Sequence, residues 1–183
     1  MSDYEPSNAE AALMGLLAEE PKYPYQIEKN VEYRDMRSWT DLSMSSIYKL
    51  LRKLEDTELV NVEIDVTEGN RARKVYQLTE AGRDALERKI RSLLRVKVLP
   101  KDPFNVAIYN SDLLMPDEVE SSLRMYREHL AESIEGYVRL EQFLKDNDCP
   151  PARIAVATRP RHQCEGEMVW LDEYLQQLES SSK

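Results

Sequence analysis

Residues 43–66 read SMSSIYKLLRKLEDTELVNVEIDV, and a change of rhythm inside this stretch decides the fold. Ile47, Leu50, Leu51 and Leu54 recur at i, i+3, i+4 and i+7, which is one face of a helix. Ser43 suits the cap of that helix, because a serine hydroxyl accepts a backbone N–H of the first turn. The spacing predicts a helix over about 44–57. From Val60 the period falls to two: Val60, Val62, Ile64 and Val66 alternate with Asn61, Glu63, Asp65 and Thr67. Such alternation predicts a half-buried strand. Glu68-Gly69-Asn70 is a turn signal, and Lys74 to Leu78 is the strand that returns.

Two helices precede this unit. Ser7 followed by Glu10 is a capping box, and Leu13, Leu16 and Leu17 continue at helical spacing, predicting a helix over about 8–20. Pro21 ends it. Pro24 opens a second helix, with Ile27 and Val31 on one face, running to about Arg37. After the hairpin, Thr79 caps a helix over about 80–97, with Ala85, Leu86, Ile90, Leu93 and Leu94 on its buried side. A lone hairpin is marginal in water, so it must lean on the helices. Three helices, a hairpin and a further helix make a winged helix-turn-helix, the hairpin being the wing.

Pro100 and Pro103 mark a boundary, giving domains 1–99 and 100–183. A short helix near 103–110 and a break at Met115-Pro116 lead to an amphipathic helix over about 117–146. Its stripe is Val119, Leu123, Tyr126, Leu130, Ile134, Tyr137, Leu140 and Leu144. Asp148-Cys149-Pro150-Pro151 turns the chain into a last helix ending near Leu178. Pro160 either kinks that helix or lies in its first turn. The fold class is therefore mainly α, a winged helix-turn-helix followed by an all-helical domain. Its two stripes exceed what one small core needs. They predict a homodimer through Met168, Leu171, Tyr174, Leu175 and Leu178, the alternative being a bundle within one chain.

Composition bounds the function. The chain has 183 residues, 42% apolar and 32% charged, an ordinary globular balance. Net charge is −9, but residues 1–100 carry 16 Lys and Arg against 18 Asp and Glu, whereas residues 101–183 carry 9 against 16. The acidity thus lies mainly in the second half, and a local basic surface decides nucleic-acid binding rather than the total. The polar, acidic start Met1 to Glu10 is unlike a signal peptide, and the apolar run Ala11 to Ala18 is too short for a bilayer. Cys149 and Cys164 make no disulfide framework; a cytoplasmic protein with reduced thiols and no membrane partner is expected.

Catalysis finds little support. His129 and His162 stand in separate helices without a nucleophile, and the five glycines form no phosphate loop. His162, Cys164 and Cys149 lack the paired, repeated spacing of zinc ligands. Neither metal nor cofactor is expected. Binding is better supported. Ser45, Lys49 and Arg52, flanked by Tyr48 and Lys53, lie on the face of the third helix opposite its leucines. Small hydroxyls at the start and cations further along suit a helix entering the major groove of double-stranded DNA. Arg71, Arg73 and Lys74 give the hairpin its own cations, suited to the backbone or minor groove. The rival reading is a winged-helix protein–protein adaptor, which the acidic total favours and the basic third helix disfavours.

These stretches resemble the PadR family of transcriptional regulators. The resemblance rests on Leu13-Met14-Gly15-Leu16-Leu17, Tyr25-Gln26-Ile27, Ser46-Ile47-Tyr48-Lys49-Leu50-Leu51-Arg52-Lys53-Leu54-Glu55, Leu59-Val60 and Arg73-Lys74-Val75-Tyr76-Gln77-Leu78-Thr79-Glu80-Ala81-Gly82-Arg83. It implies a repressor or activator acting as a two-fold dimer on operator DNA. Ser45, Ser46, Tyr48 and Lys49 would read the site, Arg71, Arg73 and Lys74 would support from the wing, and Tyr25 would lie close to DNA or behind the third helix. It also implies control by a small aromatic ligand, for which Trp39, Trp170 and the C-terminal tyrosines are the candidate lining. Two positions depart from the family pattern: Pro24 and Glu58 stand where glycine is usual.

Overall fold

The computed structural model describes residues 4–66, 72–98 and 101–181. It divides into two compact units, Met1–Leu99 and Pro100–Lys183.

In the first unit, α1 spans Asn8–Glu19 and opens on the capping box: Glu10 N–H donates to Ser7 Oγ, and Ser7 N–H donates to Glu10 Oε2. Pro24 occupies the first turn of α2, Pro24–Tyr33, where its missing N–H would have no helical partner anyway. The helix stops four residues before the expected Arg37. Asp35 turns left-handed at φ 47°, and Met36–Ser38 form a separate 3-10 turn. Next come α3, Met44–Asp56, then β1, Val60–Val66, and β2, Ala72–Leu78. The strands pair antiparallel from Val60↔Leu78 to Val66↔Ala72. The return strand therefore starts two residues before Lys74. The turn Glu68-Gly69-Asn70, and Arg71 beside it, lie outside the described residues.

The wing is not a free hairpin. Lys22, between α1 and α2, exchanges both backbone hydrogen bonds with Tyr76 of β2, each 3.0 Å. Leu13, Met14, Ile27, Val31, Ile47, Leu51, Leu54 and Leu59 are wholly or almost wholly buried in one core, which Tyr76 joins from the wing. The α3 side chains alone, Ile47, Leu51 and Leu54, contribute about 1.5–3 kcal/mol each by burial.

At the end of α3, Glu58 takes φ 58°, and the Leu59 and Glu58 amides bond back to the Leu54 and Glu55 carbonyls. This is the left-handed helix stop usually made by glycine, formed here with a side chain in place. Thr79 caps α4, Glu80–Arg95, accepting the Gly82 N–H at 2.9 Å. Only Ala85 and Leu86 of the expected stripe are buried. Ile90, Leu93 and Leu94 are exposed, Leu94 by 83%, because the later turns of α4 run past the core that the first turns meet.

In the second unit, α5 spans Pro103–Tyr109, α6 Pro116–Asp146 and α7 Pro151–Ser181. Arg124 meets Glu179, Arg127 meets Asp172 and Arg161 meets Glu141, so α6 and α7 form an antiparallel hairpin. Pro160 lies inside α7, not in its first turn. Val119, Leu123, Leu130, Leu171 and Leu175 form the core, with Met168, Tyr174 and Leu178 packed against it. Of the residues expected at a partner interface, Leu171 and Leu175 are thus enclosed within the chain itself, while Met168, Tyr174 and Leu178 stay half-buried. Leu171 is 0% exposed and Leu175 is buried, because the stripe of α7 closes on the stripe of α6 in the same chain. Among the described residues no helix is long and apolar enough to cross a membrane.

Candidate nucleic-acid interface

Serines build the start of α3. Ser46 N–H donates to Ser43 Oγ at 3.2 Å, and Ser43 N–H donates to Ser46 Oγ at 2.7 Å. The Ser46 hydroxyl also donates to the Ser43 carbonyl at 2.8 Å, so it serves the cap. Ser45 is exposed, its hydroxyl 3.1 Å from that of Ser43. Tyr48, Lys49 and Arg52 follow on the same outward side, all exposed. Among the described residues, neither Lys49 nor Arg52 forms an ion pair.

Lys53 is different. Its Nζ lies 2.9 Å from Glu10 Oε1 and 5.3 Å from the Tyr4 ring centre. Burial opposes ionisation of Glu10, yet Lys53, the Ser7 N–H and the Tyr4 hydroxyl together hold its carboxyl below the usual range. The Tyr4 hydroxyl and Glu10 in turn push the Lys53 ammonium up. The sequence shows the charge of Lys53 but not this partner, 43 positions away.

Wing and helix meet in a shallow cleft lined by Tyr48, Arg52, Glu55, Asp56, Lys74 and Tyr76. Lys74 reaches Glu55 at 3.3 Å across it, an exposed pair worth about 0–1 kcal/mol. Arg73 stands opposite Asp65 in the strand register, and the Tyr23 hydroxyl donates to that carboxylate. Asp65 therefore offsets part of the wing's positive charge. Tyr25 is exposed at the start of α2, with Lys29 Nζ 4.7 Å from its ring centre. Lys29 is a further cation on this side of α2; its i,i+4 spacing from Tyr25 is the signal for it.

Trp39 and Trp170 belong to different units. Trp170 stacks on Tyr174 at 5.5 Å and meets Phe104 edge-on at 6.1 Å, while Phe104 stacks on Tyr126 at 4.3 Å. Burial, and then the hydrogen bond its hydroxyl donates to Glu167, push the Tyr126 phenol up. His162 Nδ1 lies 2.8 Å from Glu165, and Cys164 packs against the core of its unit. Among the described residues no three His, Cys, Asp or Glu side chains are grouped to hold a metal ion.

Residues 13–88 match the family described as the Transcriptional regulator PadR-like family. The matched stretch runs from within α1 into α4 and takes in both strands of the wing. The chain is also 35% identical over 68 residues to an uncharacterised HTH-type transcriptional regulator of Methanocaldococcus jannaschii. That match covers 37% of this chain and spans 61% of the length of the relative. Among solved structures, Bacillus subtilis PadR in complex with operator DNA superposes with a TM-score of 0.74 at 19% identity, covering 92% of this chain and 98% of that one. The same PadR in complex with p-coumaric acid gives 0.72 at 20%, covering 93% and 98%. At these identities the likeness is one of fold, and it extends over both units.

Proposed function

We propose that the chain is a sequence-specific DNA-binding regulator, a homodimer that represses from a palindromic operator. One observation carries this reading. The outward face of α3 offers Ser45, Tyr48, Lys49 and Arg52 to solvent, and Lys49 and Arg52 have no carboxylate partner among the described residues. Exposed, unneutralised cations attract phosphates, while small hydroxyls and a tyrosine at the start of the helix can reach base edges. Arg73 and Lys74 of the wing, with Arg71, supply sequence-independent backbone attraction, and Tyr25 is exposed at the start of α2.

A homodimer brings two such helices to half-sites about 34–36 Å apart. A second copy would cover apolar side chains that the α6–α7 hairpin leaves in solvent, such as Val138, Phe143 and Val169. The half-exposed aromatic group of Phe104, Trp170 and Tyr174 supports the further reading of a small planar aromatic effector, as does the p-coumaric acid complex of Bacillus subtilis PadR.

Selection of bound duplexes from a random pool at stated salt tests the proposal, and a dimer should return an inverted repeat. Lys49→Glu with Arg73→Glu should abolish binding without unfolding. A protein that selects no sequence and shifts no duplex would instead be the adaptor that its acidic total allows.

A further inference from the structure

Charge alone groups Lys49, Arg52 and Lys53 as phosphate contacts, but their surroundings separate them. Glu10 is 0% exposed, the one fully buried carboxylate among the described residues. Its Oε2 accepts the Ser7 N–H at 2.7 Å, where α1 begins. Its Oε1 accepts the Tyr4 hydroxyl at 2.7 Å and lies 2.9 Å from Lys53 Nζ, in the last turn of α3. One carboxylate therefore fastens the start of α1 and the end of α3 together. Drawing Lys53 away to a phosphate would leave that carboxylate buried without its cation, which is strongly unfavourable. Lys49, one turn earlier, has no such tie.

We infer that Lys53 is a positioning residue, tied through Glu10 to α1, which sets the angle at which α3 presents Ser45, Lys49 and Arg52 and does not itself touch the DNA backbone. This rests on the DNA-binding reading above, and salt dependence tells the two apart. Removing a cation that neutralises one phosphate reduces the slope of log affinity against log salt by about 0.9, whereas misorientation weakens binding equally at every salt.

The experiment titrates full-length protein with its selected operator over a series of salt concentrations. Lys53→Met and Glu10→Gln should each weaken binding on the order of tenfold with unchanged slope, and the pair together should be no worse than either, as expected for coupled residues. Lys49→Ala should flatten the slope. Flattening by Lys53→Met, or full affinity in Glu10→Gln, would overturn the inference. Tyr4→Phe is the milder variant if Glu10→Gln does not fold; it removes one donor to the same carboxylate and should lower affinity less, again at constant slope.

A parent protein that binds no DNA defeats the earlier reading by itself. The tie is then judged without DNA, by amide exchange along α3. Lys53→Met should speed that exchange and Lys49→Ala should not; equal rates in the two would sink the tie.

Discussion

Replacing Gly82 by alanine places a methyl carbon 2.1 Å from the Leu59 carbonyl oxygen and 2.8 Å from Leu78 Cδ1. An ordinary carbon–oxygen approach is about 3.3 Å or more, so helix and strand would have to part by about 1.2 Å. The Leu78 methyl can swing aside. The Leu59 backbone cannot, because its carbonyl accepts both the Thr79 N–H and the Thr79 hydroxyl at 3.1 Å, while its N–H is fixed to Leu54 at 3.0 Å. Breaking one or two of these bonds costs about 1 kcal/mol each. Overpacking adds about 1–3 kcal/mol, and the helix preference of alanine returns about 1 kcal/mol. The net expectation is a loss of about 1–4 kcal/mol.

Urea unfolding checks it, as a lower midpoint at unchanged slope. Because Leu59 leads into β1, operator affinity at fixed salt should fall as well. Gly136→Ala is the control: nothing lies within 4 Å of the added carbon, so stability should rise by about 0.5–1 kcal/mol. A Gly82→Ala protein as stable as its parent would refute the close approach of α4 to the base of the wing.

Three other outcomes are expected. Glu58→Gly should stabilise by about 0.5–1 kcal/mol, since a left-handed residue with a side chain costs about 1–2 kcal/mol and glycine returns part of this to the unfolded chain; equal urea midpoints would remove the strain argument. The Glu10 carboxyl titrates below its ordinary value in the folded chain, so there the unfolded chain binds more protons. Its contribution is complete above the ordinary value and disappears as pH falls through the folded one; Glu10→Gln should flatten the acid limb of stability against pH, and an unchanged limb would count against the buried pair. Leu171→Ala should lose about 2–5 kcal/mol by leaving a cavity, seen as earlier loss of helical circular dichroism. A halved mass in light scattering at full helicity would instead return Leu171 to a partner interface.

The elements with a strong period were legible. Ile47, Leu51 and Leu54 announced both α3 and its buried side, and the alternation from Val60 announced β1. Where α2 stops was not legible, because it depends on Asp35 adopting a left-handed backbone that its neighbours do not demand. Periodicity names an apolar face but not what covers it. Leu94 and Leu171 read alike in sequence, yet one is exposed on α4 and the other is enclosed by α6. The same holds for charge: Lys49 and Lys53 are equivalent as letters and differ because Glu10 arrives from a distant helix.

The two ends of the hairpin are clasped where they leave the helices, by Val60 against Leu78, Lys22 against Tyr76, and the Thr79 hydroxyl against the Glu58 and Leu59 carbonyls. A loop whose base is fastened this way can change length without disturbing its anchorage. Residues inserted in pairs between Val66 and Ala72 would extend the hairpin and keep each side chain on its own face, whereas a single insertion would invert them. Related proteins could thus diverge in how far this arm extends along a bound surface while the helices behind it stay the same.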